Sequence, residues 1–372
     1  MKTTKSPRRV LIVAHLTGRL SLPDYSHRFS PKKFTQPQLF ACLVLKEFLQ
    51  LDYRKLAALL RDASDLAAVI GLKSVPHFTT FQKAADRLLT VPRARRLLGE
   101  TLQIARQRKR LRKRCRLAAL DGTGWESHHV SHYFVRRRAS CSKFWQKTTY
   151  ATFPKAGVLC DAKSHLILAI VPGRGPGPDI KHFRPALDEA LARTAIEALA
   201  ADAGYDAEHV HEYAREECGV NTFIPPLIGR RTDKPPAGFW RRHMKQFLSR
   251  TRYTQRWQVE TVNSMFKRLL GSALRARRYY SQCRELLLRA ITLNVMILRR
   301  PQVFYRARQV QLSVGIVIDL ARQSIRHAAL SQRFAIHARV ELGRWEGASG
   351  VLAAPLLATS ARRSQLISRT DP

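Results

Sequence analysis

The chain is predicted to be an α/β protein with a mixed sheet behind an all-helical N-terminal domain. Two changes of hydrophobic rhythm predict it. From Thr35 to Leu89 apolar residues recur at helical spacing, with Leu39, Leu43 and Val44 leading into Phe48 and Leu49. After Arg116 short apolar runs alternate with glycine turns and helical stretches, in the order three strands, helix, strand, helix, strand. At 372 residues the chain exceeds what one hydrophobic core usually organises.

Residues 1–34 read as a basic segment. Arg8 and Arg9 precede the apolar run Val10 to Ala14, which is too short for a signal peptide and is followed by His15. The helical domain spans 35–105. Thr35 suits the N-cap and Pro37 the first turn, and Ser74-Val-Pro-His breaks the pattern before a compact helix from Thr79, one half of a possible helix-turn-helix. Residues 106–116 hold eight cations in eleven positions. Such a block is either a solvated linker or a phosphate-tracking hinge.

The α/β domain is expected over 117–300. Leu117 to Leu120 ends at Asp121-Gly-Thr-Gly. Thr148 to Cys160, bent at Pro154, and His165 to Val171 are the next strands, closed by a turn from Pro172 to Pro178. A helix over Ile180 to Ala195 leads to a second apolar run that ends at Asp202-Ala-Gly-Tyr. A helix around Ala207 to Glu217 and a strand from Asn221 follow. Pro225 to Arg252 reads as a basic loop excursion before a long helix. The tail, 301–372, is expected to be helical around Gln309 to Phe334 and poorly ordered from Gly343.

Charge narrows the function. Lys and Arg number 66 against 27 Asp and Glu, a formal charge of +39, so a polyanion is the expected partner. A membrane is disfavoured, because no run of about 18 apolar residues occurs and the cations are not confined to one amphipathic helix. Nucleic acid fits, and a cytoplasmic, nucleoid-associated location follows. The six cysteines stand alone, without zinc or disulfide spacing.

Tyr253, Arg256, Glu260 and Lys267 carry the most specific signal. Their offsets of 0, 3, 7 and 14 fall near whole helical turns, so one narrow face of one helix would present all four. Asp121 and Asp202 each end a short apolar strand, where open α/β sheets place functional side chains, although an Asp there also caps turns. If the helix crosses the sheet, Asp121, Asp202 and Glu260 converge. Three carboxylates at one point require shared divalent cations, and oxygen ligands with open positions suit Mg²⁺ or Mn²⁺. Two ions about 4 Å apart would clamp an in-line phosphoryl displacement.

Other candidates are weaker. His128, His129 and His132 lack matching zinc-ligand spacing. Gly173 to Gly177 lacks the Gly-Lys-Ser/Thr that cradles a nucleotide, so no nucleotide cofactor is expected. Arg275, Arg277 and Arg278 beside Tyr279 and Tyr280 either line a DNA groove or are simply exposed.

Together, Asp121, Asp202-Ala-Gly-Tyr and the Tyr253, Arg256, Glu260, Lys267 series resemble the DDE transposases of bacterial insertion sequences, in the branch bearing a Tyr-Arg-Glu-Lys helix. The resemblance covers roughly residues 35 to 300. It implies a ribonuclease-H-like five-stranded core in which Asp121, Asp202 and Glu260 hold two Mg²⁺ ions. It further implies that Tyr253 and Arg256 grip a phosphate near the cleaved end and that Lys267 contacts the transposon end strand. The partner would be double-stranded DNA, both terminal inverted repeats and target, bound by a homodimer, with the helical domain 35–105 helping to recognise the repeats and assemble the dimer. The expected activity is end cleavage followed by transfer of the 3′-hydroxyl; the alternatives are a non-catalytic transposase-derived repressor and a hydrolytic nuclease. Two departures stand out. Gly-Thr-Gly follows Asp121 where many relatives carry hydroxyl residues, and the stretch between Asp202 and Glu260 is too short for a large β-insertion, which leaves Trp240 or Trp257 as the base-stacking candidate, or as plain packing.

Overall fold

The computed structural model describes residues 3–127, 153–227 and 235–298. Helices α1 (Pro7–Ser21), α2 (Gln36–Phe48), α3 (Tyr53–Asp62), α4 (Ser64–Val69), α5 (Phe78–Leu88) and α6 (Val91–Gln107) precede the sheet. Thr35 caps α2 as expected. Its hydroxyl accepts from the Gln38 amide at 3.3 Å, and the Gln38 side chain accepts from the Thr35 amide at 2.9 Å, satisfying donors that the first turn leaves open. Within 1–34 the run Val10 to Ala14 lies in α1, whose Val10, Leu11, Val13 and Ala14 are buried beside α2. The basic segment therefore holds a core helix.

Five strands form the sheet: β1 (Ala118–Gly124), β2 (Phe153–Asp161), β3 (Ile167–Gly175), β4 (Ala198–Ala200) and β5 (Asn221–Phe223), in the spatial order β3-β2-β1-β4-β5. The β3/β2 and β2/β1 pairs are antiparallel, whereas β1/β4 and β4/β5 are parallel. This is the mixed sheet of a ribonuclease-H-like core. Strand β3 corrects one expectation, because it runs through Pro172 to Gly175, where a turn is predicted. On an edge strand the missing proline N–H removes no ladder bond, so the pairing Ala156 to Pro172 is tolerated.

Helix α7 (Phe183–Leu191) follows a 3₁₀ turn, Asp179–His182, and α8 (Glu208–Glu212) runs into a π turn, Tyr213–Glu217. The expected loop before the motif contains α9 (Phe239–Phe247) and α10 (Arg250–Thr254). The cap on α9 comes from far away in sequence, since the Glu208 carboxylate accepts from the Trp240 and Arg241 amides at 2.8 and 3.1 Å. Helices α11 (Trp257–Leu270) and α12 (Tyr279–Ile297) complete the described fold. Residues 128–152, with His128, His129, His132 and the start of the second expected strand, lie outside the described residues. So do 299–372, including the helix expected at Gln309 to Phe334. Among the described residues no helix is long and apolar enough to cross a membrane.

One continuous apolar cluster joins the N-terminal helices to the sheet, and α12 lies between them, against α2, α6 and β3. The Asn294 side chain fixes that position. Its amide oxygen accepts from the Ile167 N–H at 2.8 Å, and its NH₂ donates to the Ile167 carbonyl at 2.9 Å and to Thr101 Oγ1 at 3.0 Å. Asn294 thus acts as a neighbour strand for the sheet edge and bonds α6 as well. Replacing it with Leu strands a buried N–H and carbonyl, at a cost of about 3 kcal/mol. Urea unfolding of Asn294→Leu should show the loss, and an unchanged midpoint would count against this role.

Candidate active site

The β1/β4 register builds the site. Ala119 pairs with Ala200 across parallel strands, so Asp121 and Asp202 each stand two residues further on, side by side and on one face of the sheet. Asp121 is half-buried, and so is Asp202, two residues past the end of β4. Burial first, and then the Asp202 charge, push the Asp121 carboxyl up to about 6. Asp121 Oδ2 accepts from Asn263 Nδ2 at 3.0 Å, while Asp202 Oδ1 accepts from the Gly204 amide at 3.0 Å and caps the turn Ala203–Tyr205.

Helix α11 lies over β1 and β2 and carries Glu260, Asn263 and Lys267. The single helix expected for the motif is instead two. Helix α10 ends at Thr254 and α11 begins at Trp257, joined by tight i to i+3 turns through Gln255 and Arg256. Tyr253 is half-buried and packs with Ala198, Ala200 and Phe223, an apolar contact on the sheet that takes it out of line with α11. Arg256 pairs with Glu260 at 2.6 Å, and the Glu260 side chain is 53% exposed. Arg256 also lies near enough to Asp121 to favour its charged form. Among the described residues no three acidic, His or Cys side chains come together as a metal-holding group. The sheet brings Asp121 and Asp202 together, and Glu260 turns to Arg256.

Lys267 Nζ sits 5.8 Å from the ring centre of Trp125, a buried indole that meets Phe266 edge-on. Arg275, Arg277 and Arg278 are exposed and line a hollow of 840 Å³ with Tyr280 and Asp52. Arg275 also serves the fold, because its side chain donates to the Gln50 carbonyl and its amide to Glu285. Trp240 is tied by its indole N–H to Glu216 at 2.7 Å beneath Arg215, whereas Trp257 is 52% exposed.

Several groups around the site escape the sequence reading. Asn263 has a readable signal, three residues after Glu260 and so on the same helix face. Asp179 has none. A Cβ on Gly122 would come within 1.9 Å of its carboxylate, so the turn Asp179–His182 rests on bare backbone on the side of β1 opposite Asp121. Lys155 Nζ holds Asp179 at 2.8 Å. Tyr205 is wholly buried with no hydrogen-bond partner for its hydroxyl; burial, then Asp179, Asp121 and Asp202, push that phenol up.

Asp206 anchors the segment after Asp202. Its covered carboxylate lies 2.7 Å from the Arg241 guanidinium, accepts from the Leu227 amide at 2.7 Å and stands 3.5 Å from His211 Nε2. Burial pushes this carboxyl up, but His211, Arg241 and the Leu227 amide outweigh it and hold it at about 2. An unfolded Asp titrates at about 4, so the anchor contributes about 2 kcal/mol above that pH and loses it as pH falls from about 4 to about 2. The stability gap between Asp206→Asn and the parent should therefore close through that window in urea titrations. A gap independent of pH would contradict the assignment.

None of the curated proteins compared with the chain matches it. A family model described as Transposase DDE domain matches residues 113–295, a span that holds all five strands, both aspartates and the helix bearing Glu260. Residues 113–295 of this chain are accordingly similar to a transposase DDE domain.

Proposed function

We propose that the chain cuts the ends of an insertion sequence and transfers the exposed 3′-hydroxyl to target DNA, as a member of the Tyr-Arg-Glu-Lys branch acting as a homodimer on terminal inverted repeats. The observation that carries this reading is the register-matched pair Asp121 and Asp202, half-buried and mutually repelling, beneath a helix that bears a third carboxylate. The donor set is oxygen only, and Asn263 Oδ1 is buried there without a partner. These donors fit Mg²⁺, with Mn²⁺ as a substitute. Asp121, Asp202 and Glu260 would hold two such ions, which when bound activate the attacking oxygen and stabilise the leaving one.

The remaining groups bind and release. Surface ion pairs are worth about 0–1 kcal/mol, the Arg256 pair is open to water on its Glu260 side, and a phosphate accepts two guanidinium bonds at once. A phosphate arriving at Arg256 therefore takes it from Glu260 and frees that carboxylate to turn towards the aspartates. Tyr253 offers a phenolic donor beside it, and Lys267 a mobile point charge further along α11.

Glu260→Gln tests this reading, since the amide keeps the size of an exposed side chain and removes its charge. With duplexes carrying inverted repeats from the DNA flanking the gene, the variant should bind as the parent does and lose Mg²⁺-dependent nicking. Nicking that survives the change removes Glu260 from the site. A second reading, a non-catalytic DNA-binding protein derived from a transposase, is favoured by the turn of Glu260 towards Arg256. A parent chain that binds the repeats and never nicks them would establish it, and nicking without strand-transfer products would mark a hydrolytic nuclease.

A further inference from the structure

The block 106–116 is not a loose tether. Arg114–Cys115 pairs in parallel with Ala195–Ile196, the Glu197 amide donates to the Cys115 carbonyl at 2.8 Å, and the Ala162 amide donates to the Leu117 carbonyl at 3.0 Å. The Cys115 thiol is buried and donates to Asp161. Backbone bonds on both sides thus hold the segment extended, with Arg112, Arg114 and Arg116 exposed around the buried Cys115.

These side chains border a concave space of 430 Å³, together with Lys109, Arg110 and Lys163. The six cations are all exposed and make no ion pair among the described residues. The one carboxylate in the lining, Asp161, is buried and occupied by the Cys115 thiol and the Ser164 amide. Gln255 and Gln258, which flank Arg256, complete the wall. Arg116 and Leu117 also line a second hollow of 330 Å³, together with Glu197 and with Arg252, next to Tyr253. A solvated charged face is laced with counter-charges; the first hollow is concave, and its single carboxylate is already occupied.

We infer that the groove lined by Lys109, Arg110, Arg112, Arg114, Arg116 and Lys163 binds the sugar-phosphate backbone of duplex DNA and leads it to Arg252, Tyr253 and Arg256. The inference rests on the reading of the chain as a DNA-cutting enzyme. It adds a tract whose lining includes none of Asp121, Asp202 and Glu260 and that takes phosphates other than the reacting one. Cations spaced along an extended strand match a periodic polyanion, and each phosphate contact releases counterions. The same chemistry serves two sources, the end of the element and the target duplex.

The test compares Arg112→Gln/Arg114→Gln/Arg116→Gln with a scattered variant of equal charge, Arg8→Gln/Lys181→Gln/Lys245→Gln, both exposed sets. Fluorescence anisotropy reads the binding constant against salt for two labelled duplexes, one carrying the DNA that flanks the gene and one of random sequence. The groove variant should lose about 0.9 of the log–log salt slope per side chain replaced, and the scattered variant should keep the parent slope. A loss confined to the flanking duplex assigns the groove to the element end, and one confined to the random duplex assigns it to the target. Equal slopes for the two variants on both duplexes overturn the proposal. If the triple variant does not keep the parent's thermal midpoint, Lys163→Gln, which lies off the paired strand, is read in the same way. A parent that binds through the groove yet nicks neither duplex in Mg²⁺ refutes the catalytic reading and leaves the groove standing.

Discussion

The parallel pairing of β1 with β4 is the constraint to which the site answers. It fixes two carboxylates side by side on one sheet face, Asp121 and Asp202, where partial burial denies them full hydration. Neighbouring strands lie about 4.8 Å apart, and at that separation two like charges repel by a few kcal/mol near a protein surface. The folded chain answers in two ways. Asp121 is lifted towards neutrality, and Arg256 from the turn before α11 and Asn263 from α11 are brought near it. A cation-binding centre has this same electrostatic need, so the strain and the proposed function share one cause.

Helix α12 keeps that geometry in register with the N-terminal helices. Arg289 is almost fully covered and pairs with Glu285 at 2.6 Å and with Glu47 of α2 at 3.4 Å. It also donates to the carbonyls of Gly271 and Ala273, where the chain leaves α11, at 2.8 and 2.9 Å. Removing one member of a buried network leaves an uncompensated charge, so its members stand or fall together. At the other end of the helix, Asn294 bonds the sheet edge. Helix α11 is thus held from behind by residues far from any carboxylate, and the helical region contributes to the site as a brace.

Local sequence announced the strands that matter because their chemistry is local. Leu117 to Leu120 and Ile196 to Ala201 are short, apolar and stopped by Asp followed closely by glycine, and both aspartates stand where those stops predict. The break between α10 and α11 carried no such mark. Thr254, Gln255 and Arg256 include no glycine or proline, and the turn goes with the packing of Tyr253 on alanines of β4, a tertiary contact. Helix α9 was hidden for a related reason, since its cap, Glu208, stands thirty residues before Gly238, and Pro235-Pro made the region read as loop. Asp179 was unreadable because its place depends on the bare backbone of Gly122.

Charge and shape then divide the work. A formal charge of +39 attracts any polyanion, so affinity alone says little about which duplex is bound or where it is cut. Discrimination must come from the few places where cations are held in fixed positions. The backbone bonds of Arg114–Cys115 fix one such row, and the short helix Arg250–Thr254 carries Tyr253 and Arg252, which lines a hollow with Arg116. Between that row and the aspartates stands Arg256, paired with Glu260 on the surface. On the proposed reading, a phosphate backbone lying along the row would arrive at the cation whose departure releases Glu260. Positioning of the DNA and assembly of the acidic centre would then be a single event, which would tie cutting to correct seating.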